Sequence, residues 1–341
     1  MKTKKKVKKL RILALFFLFI SLIAFILFYN NAISKPLKSD DNTISIEVKS
    51  GDGFYDVLNR LDEEGKIRNQ LLIKVKLSID KQPISLKEGT YEIDSNVTLD
   101  QLIKDLQDDS NNINMVKITV PEGYSVEEIA QLMEEKSMCS KNDFIEAIKN
   151  HELPEFVEVN EKRRYNLEGF LYPDTYLIEK GTSANNIIDM MLERFKAAIK
   201  EVEKETDIVI NNKDIDKLIT IASMIEKEAS ADIDRPLISS VIYNRLDTGM
   251  KLQLDATVLY ALGEHVDVVL NRHLEVDSPY NTYKYSGLPI GPIASPGIES
   301  IKAALLPKDT DYLYYILQKD GTHYFTNNYD DFLAKKKELG Y

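Results

Sequence analysis

Ile12–Tyr29 is an eighteen-residue run that is apolar except for Ser21, and six lysines and Arg11 precede it with no acid among them. About eighteen apolar residues are just enough for a helix to span the hydrocarbon core of a bilayer. The spacing therefore predicts a transmembrane helix over 12–29 behind a basic tail at 1–11. Lysines before the run and few after it place the tail in the cytoplasm and everything beyond Tyr29 outside, as a single-pass protein of the cell membrane. The competing arrangement is a cleaved signal peptide, with Ala32-Ile33-Ser34 as a small-x-small site. The apolar run is long for a signal core, which favours an uncleaved anchor.

The exterior part is large enough for two or three domains. The chain has 341 residues and a formal charge of −11, and the body without its basic tail is seven units more negative still. So acidic a body argues against nucleic acid as a partner. Cys139 is the only cysteine, so no internal disulfide is available. His151, His265, His273 and His323 show no metal-ligand spacing. Neither a metal nor a cofactor is expected.

Residues 30–43 read as a polar linker. Ile44, Ile46 and Val48 then alternate as in a strand, and Ser50-Gly51-Asp52-Gly53 breaks it. Phe54, Val57, Leu58 and Leu61 mark a helix ended by Gly65, a second helix spans about 69–79, and 89–93 read as a return strand. Sliding the chain by 72 residues places Val48 on Val120, Gly51 on Gly123, Phe54 on Val126, Leu61 on Met133 and Ile73 on Ile145. A strand, a Gly turn and two helices thus occur twice, as an internal duplication or as two generic units. The first, V-K-S-G-D-G-x-x-x-V-L, resembles the start of the LysM peptidoglycan-binding module. The expected architecture is α+β and membrane-anchored: a small LysM-like strand-helix module at 44–115, then a larger mixed domain rich in helix at 116–341. The second strand-helix unit would occupy 116–160.

Within 116–341 the most telling helix is 215–230. Ile215, Leu218, Ile219, Ala222 and Ile225 form an apolar face. Glu226 follows Ala222, Ile219 and Ile215 by four, seven and eleven residues, which projects it within roughly 40° of each. Glu228 points to the other side. A carboxyl on an apolar stripe needs a partner or a raised pKa; the first is a salt-bridged structural glutamate, the second suits a general acid. Downstream, Asp255 stands where the N-cap of a helix at 256–262 belongs. The segment 278–297 holds four prolines, three glycines and three tyrosines in twenty residues and cannot be a regular element. Such a loop is usually functional, and tyrosines beside Asn and Thr suit the faces and hydroxyls of a sugar polymer. Tyr165–Tyr176 reads as a loop or edge strand, and 312–317 with 322–326 as a hairpin.

Several of these stretches share one pattern. V-P-E-G at 120–123, L-E-G-F-L-Y-P-D-T-Y at 167–176, I-A-S-M-I-E-K-E-A at 221–229 and V-I-Y-N-R-L at 241–246 occur in order. G-M-K-L-Q-L-D-A-T-V at 249–258, S-P-Y-N-T-Y at 278–283, G-L-P-I-G-P-I-A-S-P-G at 287–297 and Y-L-Y-Y-I at 312–316 follow. Together with the anchor they resemble the MltG (YceG-like) endolytic murein transglycosylases, from about residue 44 to the end. The resemblance implies cleavage of the β-1,4 bond between N-acetylmuramic acid and N-acetylglucosamine within peptidoglycan strands, leaving 1,6-anhydro-muramyl ends and terminating elongation. It implies Glu226 as the catalytic residue, the first Glu of the E-K-E motif. It places Asn244, Gln253, Asp255, Tyr280, Asn281 and Tyr283 at motif positions that line the sugar groove. It also implies partnership with penicillin-binding proteins or other glycan polymerases. The chain departs from the pattern at Asp255-Ala256-Thr257, where many relatives read D-P-T, and at Ser295-Pro296-Gly297, where many read N-P-G. Two other classes compete: a muramidase-type hydrolase with Asp255 or Glu228 activating water, and a non-catalytic wall-binding scaffold.

Overall fold

The computed structural model describes residues 2–81, 83–263 and 270–340, so His265 lies outside the described residues. The chain divides into two compact units, Met1–Lys117 and Ile118–Tyr341.

The first unit opens with helix α1, Lys2–Ser34, of which Ile12–Ser34 is long and apolar enough to cross a membrane. Strand β1 (Thr43–Val48) alternates exposed and buried residues, so one face is free to pack. It pairs antiparallel with β2 (Gly89–Asp94), Thr43 opposite Asp94 and Val48 opposite Gly89. Helices α2 (Phe54–Glu63) and α3 (Gln70–Asp80) connect the two strands. Asn69 starts α3 by accepting the Leu72 N–H at 3.0 Å. Ile44, Ile46 and Val48 meet Phe54, Val57, Leu58, Ile73 and Tyr91 in one core, which α4 (Leu99–Asp105) completes with Leu99 and Leu102. The expected polar linker is a correction here: α1 continues past Tyr29, and Leu37 is fully buried in this core, bridged to Ile67. A leucine that can reach an apolar core gains more by entering it than the polarity of its neighbours costs.

The second unit begins within β3 (Met115–Thr119), followed by α5 (Val126–Glu135), α6 (Lys141–Asn150) and β4 (Thr175–Glu179). β3 and β4 form a two-stranded sheet. Ser125 and Glu128 close a capping box at the start of α5. The strand-helix-helix-strand order of the first unit thus recurs. β1 and β3 begin 72 residues apart, and so do α2 and α5. Gly51 and Gly123 both take positive φ, 82° and 77°. The two series part company at the return strand, because Thr175 follows Gly89 by 86 residues. The extra chain carries the L-E-G-F-L-Y-P stretch, an irregular segment that leads into β4.

Helices α7 (Ala184–Thr206), α8 (Asn212–Glu228), α9 (Arg235–Asp247), α10 (Asp255–Leu262) and α11 (Ile298–Leu305) complete the body, with the β5–β6 hairpin (Tyr314–Leu317, His323–Thr326) and α12 (Tyr329–Leu339) after them. α8 is central, packed against α9, α10 and α11. Phe156, Phe170 and Phe195 form an aromatic cluster in this unit's core. Among the described residues, strands occur only in three two-stranded sheets amid many helices, an α+β architecture.

Candidate active site

The apolar face of α8 is buried as its periodicity requires: Ile215, Leu218, Ile219, Ala222 and Ile225 are all inside. Near the start of α8, Asp216 receives a bidentate bond from Arg163 at 2.6 and 2.8 Å, and Arg163 also donates to the Ile290 carbonyl at 2.8 Å. Further along, the Ser223 hydroxyl accepts the Ile293 N–H at 3.1 Å. The proline-rich segment 278–297 is therefore fastened along α8 at two points. That leads its last residue to Glu226.

Glu226 occupies the last turn of α8 with its side chain 7% exposed. Oε2 accepts the Gly297 N–H at 3.0 Å, and Oε1 accepts from Arg235 Nη2 at 3.3 Å. Arg235 is itself held by Ser300 Oγ at 2.9 Å and by Asp232. A recessed carboxyl with both oxygens fixed by donors has a set orientation; the Arg235 pair is the partner that a carboxyl on an apolar stripe requires.

The turn after β3 closes over the same place. Gly123 donates to the Ser295 carbonyl and Ser295 donates to the Tyr124 carbonyl, both at 2.8 Å. Lys227 Nζ donates to the Gly123 carbonyl at 3.2 Å. A Cβ on Gly123 would come within 3.7 Å of Glu226 Cγ. Glu122 lies against Gly297 from this turn: a Cβ on Gly297 would stand 1.9 Å from one Glu122 carboxylate oxygen and 2.6 Å from the other. Glu122 is exposed, yet partial desolvation, and then the charge of Glu226, push its carboxyl up from its ordinary value, with Arg235 pulling the other way.

Glu228 does not turn away from the interior. The β5–β6 hairpin lies on that side, and the Tyr315 hydroxyl donates to Glu228 Oε2 at 3.0 Å. Desolvation pushes Glu228 up to about 7, against the pull of the Tyr315 bond and of Arg245. Helical projection from one apolar stripe could not show this, because a second element covers the opposite side. Asp255 is the first residue of α10, and its expected N-cap role is replaced by another: Leu254 is the cap, and Asp255 Oδ1 accepts the Tyr283 hydroxyl at 2.6 Å. The Asp255 charge acts on Glu228, and both charges act on the Tyr283 hydroxyl.

The remaining groove candidates separate into two sets. Gln253 is exposed and held at a φ of 52°. Asn244 and Asn281 are clamps: Asn244 Nδ2 donates to the Thr310 and Tyr312 carbonyls at 2.9 Å, and Asn281 Nδ2 to the Leu274 and Val276 carbonyls at 2.8 Å. Tyr280 is buried, edge-on to Tyr260, and its hydroxyl accepts the Arg164 N–H. All three side chains are engaged by other parts of the protein. Asn281 is 1% and Tyr280 4% exposed, whereas Asn244 is half-buried.

Arg235, Gly297 and Glu122 were not singled out from sequence. For Glu122 a signal existed, since the 72-residue offset sets it opposite Ser50, an acid where the first copy has a hydroxyl.

A sequence profile described as the YceG-like family matches residues 46–338. An endolytic murein transglycosylase of Bacillus subtilis (strain 168) is 35% identical over 312 residues, covering 87% of this chain and 85% of its own. An endolytic murein transglycosylase of Streptococcus pneumoniae (strain D39) is 29% identical over 335 residues, and the matched part is 60% of its length. The crystal structure of a YceG-like protein from Listeria monocytogenes aligns with a TM-score of 0.58 and 34% identity, covering 86% of this chain and 99% of that one.

Proposed function

This chain belongs to the YceG-like family, and from that membership we infer its reaction: it is an endolytic peptidoglycan transglycosylase, a carbon–oxygen lyase acting on glycan strands. The observation that carries the assignment to a residue is Glu226, recessed at the end of α8 with its two oxygens held by Gly297 and Arg235. Protonated Glu226 donates to the glycosidic oxygen as the bond to C1 of the muramic residue breaks and the ring takes on oxocarbenium character. The resulting carboxylate takes the proton of the C6 hydroxyl, whose oxygen bonds to C1 and closes the 1,6-anhydro ring. One carboxyl thus serves as acid and then base, and no water is consumed. An intramolecular hydroxyl has the proximity advantage that a bound water lacks.

Within this reading, Gln253, Asp255 and Tyr283 are the accessible groove candidates. The apolar helix Ile12–Ser34 is a single-pass anchor with the basic tail in the cytoplasm and both units outside. Residues 44–115 are a LysM-like glycan-holding module, supported by the order strand, helix, helix, antiparallel strand. Release of nascent strands would place the protein beside penicillin-binding proteins or other glycan polymerases.

The test uses the full chain in detergent with uncrosslinked glycan strands, read by mass spectrometry. Internal fragments with anhydro-muramyl ends from the wild type, and none from Glu226→Gln, are the expected result. Reducing ends one water heavier would make the protein a hydrolase. Strands retained on the protein but never cut would make it a binding scaffold.

A further inference from the structure

We propose that Glu122 is a second catalytic carboxyl of this site: ionised, it stabilises the positive charge that develops on C1 and the ring oxygen, while Glu226 handles the protons. The inference rests on the transglycosylase reading and adds to it a residue and a role.

Three observations carry it. First, the backbone around Glu122 is fixed on both sides, before it by the Val120 N–H on the Asp174 carbonyl and after it by the paired bonds between 123–124 and Ser295 and by Lys227 on the Gly123 carbonyl. Its side chain therefore leaves from a rigid turn, the arrangement that aimed functional groups need. Second, that turn and the carboxylate meet Glu226 through the same glycine. Gly297 gives its N–H to Glu226 and its open Cα face to Glu122, so the two carboxyls flank a single residue. Third, Glu122 is exposed to solvent and among the described residues takes no hydrogen bond or ion pair, so its carboxylate is open to a substrate, whereas the other charged groups of the site are paired. Arg235 is bound by Glu226, Asp232 and Ser300, and Lys227 is bound by Gly123. The facing charges are Glu226, Asp232 and Glu299 on the acidic side and Arg235 on the basic side. An unpaired, solvent-open carboxylate beside Glu226 is free to face a cation that develops there during turnover.

Glu228 does not fit the role, because it lies on the other side of α8 and is already engaged by Tyr315. In the proposed step Glu122 forms no covalent bond and exchanges no proton. The C1–O4 bond breaks with the Glu226 proton going to O4. The C1–O6 bond forms with the C6 hydroxyl proton going to Glu226. Glu122 contributes charge alone. Groups aimed at transition-state charge act on kcat more than on ground-state binding.

The experiment compares full-length wild type, Glu122→Gln and Glu122→Asp on uncrosslinked glycan strands, measuring kcat and KM separately and product ends by mass spectrometry. Glu122→Gln keeps the size and removes the charge. It is expected to lower kcat about 100-fold with KM within about twofold, an unchanged melting temperature, and anhydro ends on what product forms. Glu122→Asp, which keeps the charge but shortens its reach, is expected to fall between the two. Wild-type kcat in the Gln variant, or a loss confined to KM, overturns the proposal. Equal loss in Asp and Gln together with a lowered melting temperature also overturns it, since the residue would then be structural. A wild type that makes no anhydro ends at all would condemn the assigned reaction itself, and with it the premise of this role.

Discussion

The Gly297 N–H donates to Glu226 Oε2 at 3.0 Å across a sequence separation of 71 residues, and the same glycine leaves its other face to Glu122. Gly297 has φ −76° and ψ 171°, an extended conformation that any residue adopts. The glycine is therefore required for space and not for backbone freedom. Gly297→Ala should fold normally, yet its Cβ would collide with the Glu122 carboxylate and shift it from the site. A fall in kcat of at least tenfold, with the melting temperature within a few degrees of wild type, is expected from turnover and calorimetry. Unchanged turnover would show that the contact does not matter.

Burial raises both Glu228 and Glu168 to about 7, from an ordinary value of 4.5. A carboxyl whose folded-state value is raised binds protons more tightly when folded, so its contribution favours the fold at low pH. That contribution is lost as pH climbs from the unfolded value through about 7. The second unit should therefore lose stability between about pH 4.5 and pH 7, and hold level above. Glu228→Gln keeps an acceptor for Tyr315 and removes one titration. Melting temperatures across that range should show a shallower slope in the variant.

Asp216 and Arg163 form a buried pair, 6% and 9% exposed, that also holds the Ile290 carbonyl and the Glu158 N–H. Removing one partner strands the other, at a cost of about 3–5 kcal/mol. Asp216→Ala should lower the denaturant midpoint of the second unit accordingly. Activity should fall as well, because the segment that carries Gly297 loses one of its attachments to α8. A midpoint equal to wild type would mean that the pair is not buried in solution.

Leu37 is fully buried in the core of the first unit. Leu37→Ala is expected to destabilise that unit by about 2–5 kcal/mol. A soluble fragment starting near residue 42 lacks this side chain altogether. A fragment starting at residue 35 should unfold at higher denaturant than one starting at 42, and equal midpoints would place Leu37 outside the core.

Periodicity in the sequence determined most of what is local. The apolar run at 12–29, the alternation at Ile44, Ile46 and Val48, and the stripe of α8 with Glu226 on it all follow from side chains repeating at the spacing of one regular element. The 72-residue offset likewise placed two helices and two turn glycines, because a repeated pattern needs no knowledge of what packs against it. What only the tertiary structure decided is which partners fill the other side of each group. Glu228 is enclosed because Tyr315 arrives from 87 residues away. Asn244 and Asn281 are clamps because backbone carbonyls come to meet them. Glu122 joins Glu226 through a glycine distant from both. Such neighbours are set by how long segments pack, and one face of one element carries no record of them.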